Sequence, residues 1–139
     1  MANDPQWVER LNTVNQDRLP GYVGMVVTHA ELGLMRARME AKPELIAPIG
    51  FLFAPAILTL TDTLCAYGAR PPEGAIGFTT AELKANFMST VTSGVVLCEA
   101  RLIHGGRTTQ VWDATVTAEA TGKLMALFRC TQLILWPKG

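Results

Sequence analysis

Histidine is nearly absent from this chain of 139 residues: His29 and His104 are its only two. They stand far apart with no second ligand at a metal-binding spacing, so neither a metal centre nor a cofactor is expected. Cysteine is scarce as well. The three cysteines, Cys65, Cys98 and Cys130, are an odd number, each in an apolar run and without Cys-x-x-Cys spacing. That argues against a zinc or redox motif and reads them as reduced core residues. Charged residues make up only 17%, and twelve basic side chains balance twelve acidic ones, so there is no uniform field to attract nucleic acid or an anionic membrane. Long unbroken apolar runs are missing too. The richest stretch, Leu45 to Leu60, contains Pro48, Gly50 and Pro55 and is followed at once by Asp62, too short and too broken to span a bilayer. The opening MANDPQWVERLNTV carries charges where a secretory signal places its apolar stretch, which points to the cytoplasm.

What is abundant is apolar surface. A hydrophobic fraction of 49% over 139 residues is high for a small soluble monomer and predicts that some of that surface meets another subunit. The length suits one domain, residues 1–139, able to bury about two thirds of its unfolded surface. Within it, residues 1–20 read as a helical segment and 21–139 as the core.

Asn3-Asp4-Pro5 is a helix start, because an oxygen at the cap accepts orphan amide hydrogens and proline is tolerated in the first turn. Trp7, Val8, Leu11 and Val14 recur at helical spacing. Leu19-Pro20-Gly21 should end that segment, with a first strand following from Tyr22 to His29. From Leu34 to Ala41, Met35, Ala37 and Met39 alternate with Arg36, Arg38 and Glu40, the period of a strand wet on one side. The stretch from Pro43 to Phe53 has no clear period and leads to Ala54-Pro55, a second helix start. The helix expected from there to about Gly68 carries Ile57, Leu58, Leu60, Leu64, Cys65 and Tyr67, an apolar girth too wide for a surface helix. After the loop from Arg70 to Gly74, four strands are predicted: Ala75 to Phe87, Gly94 to His104, Arg107 to Glu119 and Lys123 to Trp136. Gly105-Gly106 and Ala120-Thr121-Gly122 are hairpin lengths, so the last three should form an antiparallel meander. The element order is that of an α+β fold, a long central helix wrapped by one antiparallel sheet of about six strands, with an N-terminal helix.

Three segments carry a resemblance. Leu58-Thr-Leu-Thr-Asp62-Thr63-Leu-Cys-Ala-Tyr67 is similar to the "LADTAxAY" helix of hotdog-fold acyl-CoA thioesterases related to the phenylacetate-degradation thioesterase (PaaI-like). Thr79-Thr80-Ala-Glu82-Leu83-Lys-Ala-Asn86-Phe87-Met88 resembles that family's "TxxLxxxFL" strand, and Ala120-Thr121-Gly122-Lys123-Leu124-Met-Ala126 its "atGklvA" hairpin. The resemblance covers nearly the whole chain from Gly21 onward. It implies a hotdog fold, active sites at a dimer interface, and an acyl-CoA or aryl-CoA substrate.

By the same resemblance, Asp62 is the reacting carboxylate, acting as general base on water or as nucleophile. Ala54 supplies the backbone N–H that polarises the thioester carbonyl, and Thr80 is the hydroxyl-bearing neighbour of the carboxylate. Gly50, Phe53 and Pro55 fall within the substrate-binding run before the helix, and Arg107 lies in the turn where the nucleotide of coenzyme A meets the protein. In that run the family's Asn-x-x-Gly-x-x-His-Gly-Gly becomes Ala47-Pro48-Ile49-Gly50-Phe51-Leu52-Phe53-Ala54-Pro55, so Ala47 replaces asparagine and Phe53 replaces histidine. These apolar replacements point to an apolar acyl or aryl group.

Helix geometry adds a constraint of its own. Asp62 lies eight residues after Ala54, about 12 Å along a helix, too far for both to reach one carbonyl. Two helices packed antiparallel about a two-fold axis bring the start of one beside the middle of the other, so a homo-oligomer, a dimer or dimer of dimers, is expected. Two other readings stand beside hydrolysis. Ala47 and Phe53 motivate a non-catalytic acyl-CoA or small-acid binding protein, while a hydratase needs a histidine that the Asp62 segment lacks.

Overall fold

Alternating side chains along six segments build one antiparallel sheet in the computed structural model, which describes residues 2–139. Strands β1 (Val26–Glu31), β2 (Leu34–Glu40), β3 (Gly77–Phe87), β4 (Val95–Gly105), β5 (Thr109–Ala118) and β6 (Leu124–Leu135) lie in the order β1-β2-β4-β5-β6-β3. The β4-β5-β6 meander forms as its two hairpin turns predict. On β2, Met35, Ala37 and Met39 are buried under the helix, while Arg36 on the other face donates to Glu99 of β4.

Helix α1 (Pro5–Val14) is capped by Asp4, whose carboxylate accepts from the Gln6 and Trp7 amides. The short helix α2 (Leu19–Tyr22) and the long α3 (Ala54–Gly68) complete the α-helices among the described residues, with a single 3-10 turn at Pro43–Leu45. A stripe of Ala56, Ile57, Leu60, Thr61, Leu64, Cys65 and Gly68 is buried on α3, and it lies against the inner face of the sheet. The closest approach is at Gly68, where a Cβ would sit 2.5 Å from Trp112 and 2.9 Å from Met35. Glycine is the residue that lets helix and sheet meet there.

The N-terminal connection differs from the expectation. Leu19-Pro20-Gly21 does not simply stop a helix. It forms α2, with proline in the first turn where its missing N–H costs nothing. The first strand accordingly starts at Val26 instead of Tyr22 and runs on to Glu31. Gly21 is held close to α1, since a Cβ there would meet the Asn15 carbonyl oxygen at 2.2 Å. The remaining strands begin and end within about two residues of their predicted limits.

The two sheet edges are finished differently. At β1, the N-terminal segment ties on through Asp4 N–H to the Ala30 carbonyl and Ala30 N–H to Asn3 Oδ1, each 2.8 Å. Strand β3, at the other edge, pairs with β6 alone. Its side chains Leu83 and Phe87, in register with the inward-facing Cys130 and Ala126, remain 42% and 45% exposed. The sheet therefore overhangs its own helix on this side.

Candidate active site

Asp62 sits on the flank of α3 that faces β3, half-buried and outside the core stripe. Of the threonines beside it in sequence, Thr59 donates to the Pro55 carbonyl and Thr61 to the Ile57 carbonyl, one helical turn back. Its partner comes from the sheet instead: Thr80 Oγ1 donates to Asp62 Oδ1 at 2.8 Å. A bulge between Thr80 and Glu82 shifts the β3-β6 register, and such an extra residue re-aims the side chains on either side of it. Thr80 and Leu83 therefore both stand opposite inward-facing positions of β6, Gln132 and Cys130.

Gln132 is the residue that the sequence reading missed. It is fully buried on β6, and its Nε2 donates to Thr80 Oγ1 at 2.9 Å. The signal was present, because Gln132 interrupts the apolar alternation Ala126, Phe128, Cys130, Ile134 along that strand. Nearby, the Cys65 thiol is held well above the usual thiol range by its hydrogen bond to Cys130 and by burial. It stays protonated and is not a competing nucleophile.

The start of α3 forms a second cluster. Phe53 at the cap makes no side-chain bond to the first turn, Pro55 has no N–H, and the Ala56 N–H bonds the Phe53 carbonyl at 3.0 Å. Among the described residues, no acceptor meets the Ala54 N–H, so it points outward with the helix dipole behind it. The preceding loop is a tight turn, closed by Gly50 N–H to the Ala47 carbonyl at 2.8 Å. Gly50 takes a φ of +102° there, with open space where a side chain would be, so backbone conformation sets this residue. The loop and the helix start enclose an apolar cavity of about 390 Å³, walled by Ala47, Ile49, Phe51, Phe53, Ile57 and Phe87. Pro55 is exposed beside it.

Within one chain, then, Thr80 is brought to Asp62, while Phe53 and Ala54 line the cavity and Gly50 shapes the turn before it without lining it. Arg107 joins neither group. It lies in the β4-β5 turn, its guanidinium 4.1 Å from the centre of the Trp136 ring, and its carbonyl accepts from Trp136 Nε1 at 2.9 Å. That turn bonds Ile134, at the opposite end of β6 from the Ala126 that pairs Phe87. Among the described residues there is no cluster of three metal-ligating side chains, and no helix is long and apolar enough to cross a membrane.

Comparison with known proteins fits this arrangement. The Thioesterase superfamily pattern matches residues 49–125, which contain Asp62, Thr80 and the start of α3. A 1,4-dihydroxy-2-naphthoyl-CoA hydrolase of Listeria monocytogenes is 30% identical over 113 residues, covering 78% of this chain and 89% of its own. A solved variant of a Pseudomonas aeruginosa thioesterase superposes with a TM-score of 0.87 at 26% identity, over 92% of this chain and 93% of that one. The E. coli PaaI protein from the phenylacetic acid degradation operon shares the fold, with a TM-score of 0.81 at 18% identity over 93% and 92% of the two chains. The helix wrapped by six strands is thus the hotdog fold, and the chain belongs to the thioesterase superfamily as a thioester hydrolase.

Proposed function

We propose that this chain hydrolyses an acyl-CoA or aryl-CoA thioester, with Asp62 as the reacting carboxylate and the Ala54 N–H polarising the carbonyl across a dimer interface. The observation that carries the reading is the Thr80 to Asp62 hydrogen bond, which holds a half-buried carboxylate beside an uncovered sheet edge. Neither Ala54 nor Asp62 is sufficient alone, because about 12 Å of helix separates them. A second copy packed antiparallel along β3 covers Leu83 and Phe87 and sets its Ala54 against this chain's Asp62, twice per dimer.

The chemistry follows from the two groups. As general base, Asp62 takes a proton from water while the water oxygen attacks the thioester carbon. The carbonyl oxygen gains negative charge facing the helix-start N–H. The C–S bond then breaks, and the thiolate of coenzyme A leaves with the electron pair and picks up the proton. As nucleophile, Asp62 itself forms the bond to carbon, the C–S bond breaks to release the thiolate of coenzyme A, and water hydrolyses the resulting anhydride, which frees the acid and restores the carboxylate.

The apolar cavity of about 390 Å³, with Phe53 in its wall, supports an apolar acyl or aryl group, and Gly50 and Pro55 are assigned to substrate binding as sequence neighbours of that wall. The Listeria relative, named for hydrolysis of an aromatic CoA thioester, supports the aryl end of that range. Arg107 is assigned to a phosphate of coenzyme A, and the three free, buried cysteines agree with a cytoplasmic setting. Ala47 and Phe53 also favour a second reading, a binding protein that holds an acyl-CoA without turning it over.

Loss of thioester ultraviolet absorbance, followed across short, long and aromatic acyl-CoAs, separates the two readings. Wild type is expected to turn over at least one apolar member, with Asp62→Asn reducing kcat by about a hundredfold or more while remaining folded. Thermal stabilisation by acyl-CoA without turnover would establish the binding reading instead.

A further inference from the structure

Gln132 has no role in the proposed chemistry, yet its setting is unusual. Its side chain is completely buried, and its Oε1 accepts no hydrogen bond among the described residues. Burying an amide carbonyl without a donor is unfavourable, and leucine or methionine would fill the same space without that penalty. Packing alone does not account for a glutamine here.

The hydrogen-bond directions do account for it. A threonine hydroxyl has one proton to give and lone pairs with which to accept. Gln132 Nε2 lies 2.9 Å from Thr80 Oγ1 and also 3.4 Å from Cys130 Sγ, so two acceptors hold the amide with its N–H groups toward them. Because Thr80 Oγ1 accepts from Gln132, its proton goes to Asp62 Oδ1 at 2.8 Å. The chain Gln132 to Thr80 to Asp62 therefore runs in one direction and ends on the carboxylate. Turned the other way, the amide would present Oε1 to Thr80 and compete with Asp62 for its only proton. The bulge beside Thr80 and its pairing with Gln132 across β3 and β6 fix the spacing of the relay.

We propose that Gln132 is a positioning residue for thioester hydrolysis, acting through Thr80 to hold Asp62 Oδ1 and leave the other carboxylate oxygen free for the reacting water or thioester. The proposal rests on the reading of Asp62 as the reacting carboxylate. Gln132 touches neither substrate nor the reacting atoms.

The test is a double-mutant cycle in kcat and KM, using the acyl-CoA that wild type hydrolyses fastest, with Asp62→Asn alongside. Gln132→Met, or Gln132→Leu if the first does not fold, is expected to lower kcat about tenfold with KM unchanged. Thr80→Ala is expected to lose a similar factor, and Thr80→Ser to restore most of it. In the Thr80→Ala background, Gln132→Met should cost nothing more, because its effect passes through the hydroxyl. Wild-type kcat in Gln132→Met while Asp62→Asn is inactive would overturn the role of Gln132 alone, as would losses that simply multiply in the double variant. Full activity in Asp62→Asn would overturn the reading of Asp62 and this proposal with it.

Discussion

Asp62 differs from the ion-paired acids of the sheet in the kind of partner it has. Glu99 accepts from Arg36 and Arg101, and Asp113 is held in a two-pronged pair by Arg129, so these carboxylates are neutralised by cations. Among the described residues no cation pairs with Asp62; it receives a neutral hydroxyl. A carboxylate supported in this way keeps its charge available for a proton or a carbonyl carbon. Arg107 is the converse case, a cation with no carboxylate partner among the described residues and resting on Trp136. If it meets a phosphate, Arg107→Ala should raise KM for a CoA thioester about tenfold. It should leave kcat unchanged, and KM for a truncated thioester lacking the nucleotide should not move. Equal KM changes for both substrates would remove Arg107 from nucleotide binding. That Thr80 stands beside Asp62 was legible in the sequence because each lies inside a segment resembling a known family. Gln132 was not, because its meaning depends on which residue it faces across the β3-β6 register.

At the scale of elements, α3 and the strands were readable because their apolar periods differ, and helix α3 spans Ala54–Gly68 as its start signal and girth predicted. The connection before β1 was not, since Pro20 and Gly21 serve equally as a helix stop or as the first turn of a new helix. Packing then decides between them through the close approach of Gly21 to Asn15. Gly68 shows how little slack the helix has against the sheet. A methyl added there would overlap the Trp112 ring, and Trp112 is only 1% exposed. Gly68→Ala is accordingly expected to destabilise the protein by about 1–3 kcal/mol, read as a lower urea midpoint with an unchanged slope. A midpoint equal to wild type would mean that the helix shifts freely over β2 and β5.

For the whole molecule, several uncovered features converge beside β3, although other exposed apolar side chains, such as Tyr22 and Ile103, lie on other elements. The open β3 edge, the exposed Leu83, Phe87 and Met88, and the exposed Ile49, Phe51 and Phe53 of the cavity loop form a surface that a lone chain of 15.1 kDa leaves wet. The high apolar content signalled such a surface in advance, but composition has no position, so only the fold locates it at β3 and the helix start. The proposed site, divided between two copies, would place that surface against both Asp62 and the helix start. The most direct test mixes two inactive variants. Ala54→Pro removes the helix-start N–H at a position where proline is tolerated, and Asp62→Asn removes the carboxylate. If each site takes Ala54 from one chain and Asp62 from the other, a mixed dimer has one site with both defects and one with neither. Equal amounts, unfolded and refolded together, should then recover about a quarter of wild-type turnover, although each variant refolded alone stays inactive. No recovery, from a mixture shown to contain mixed dimers, would contradict the divided site.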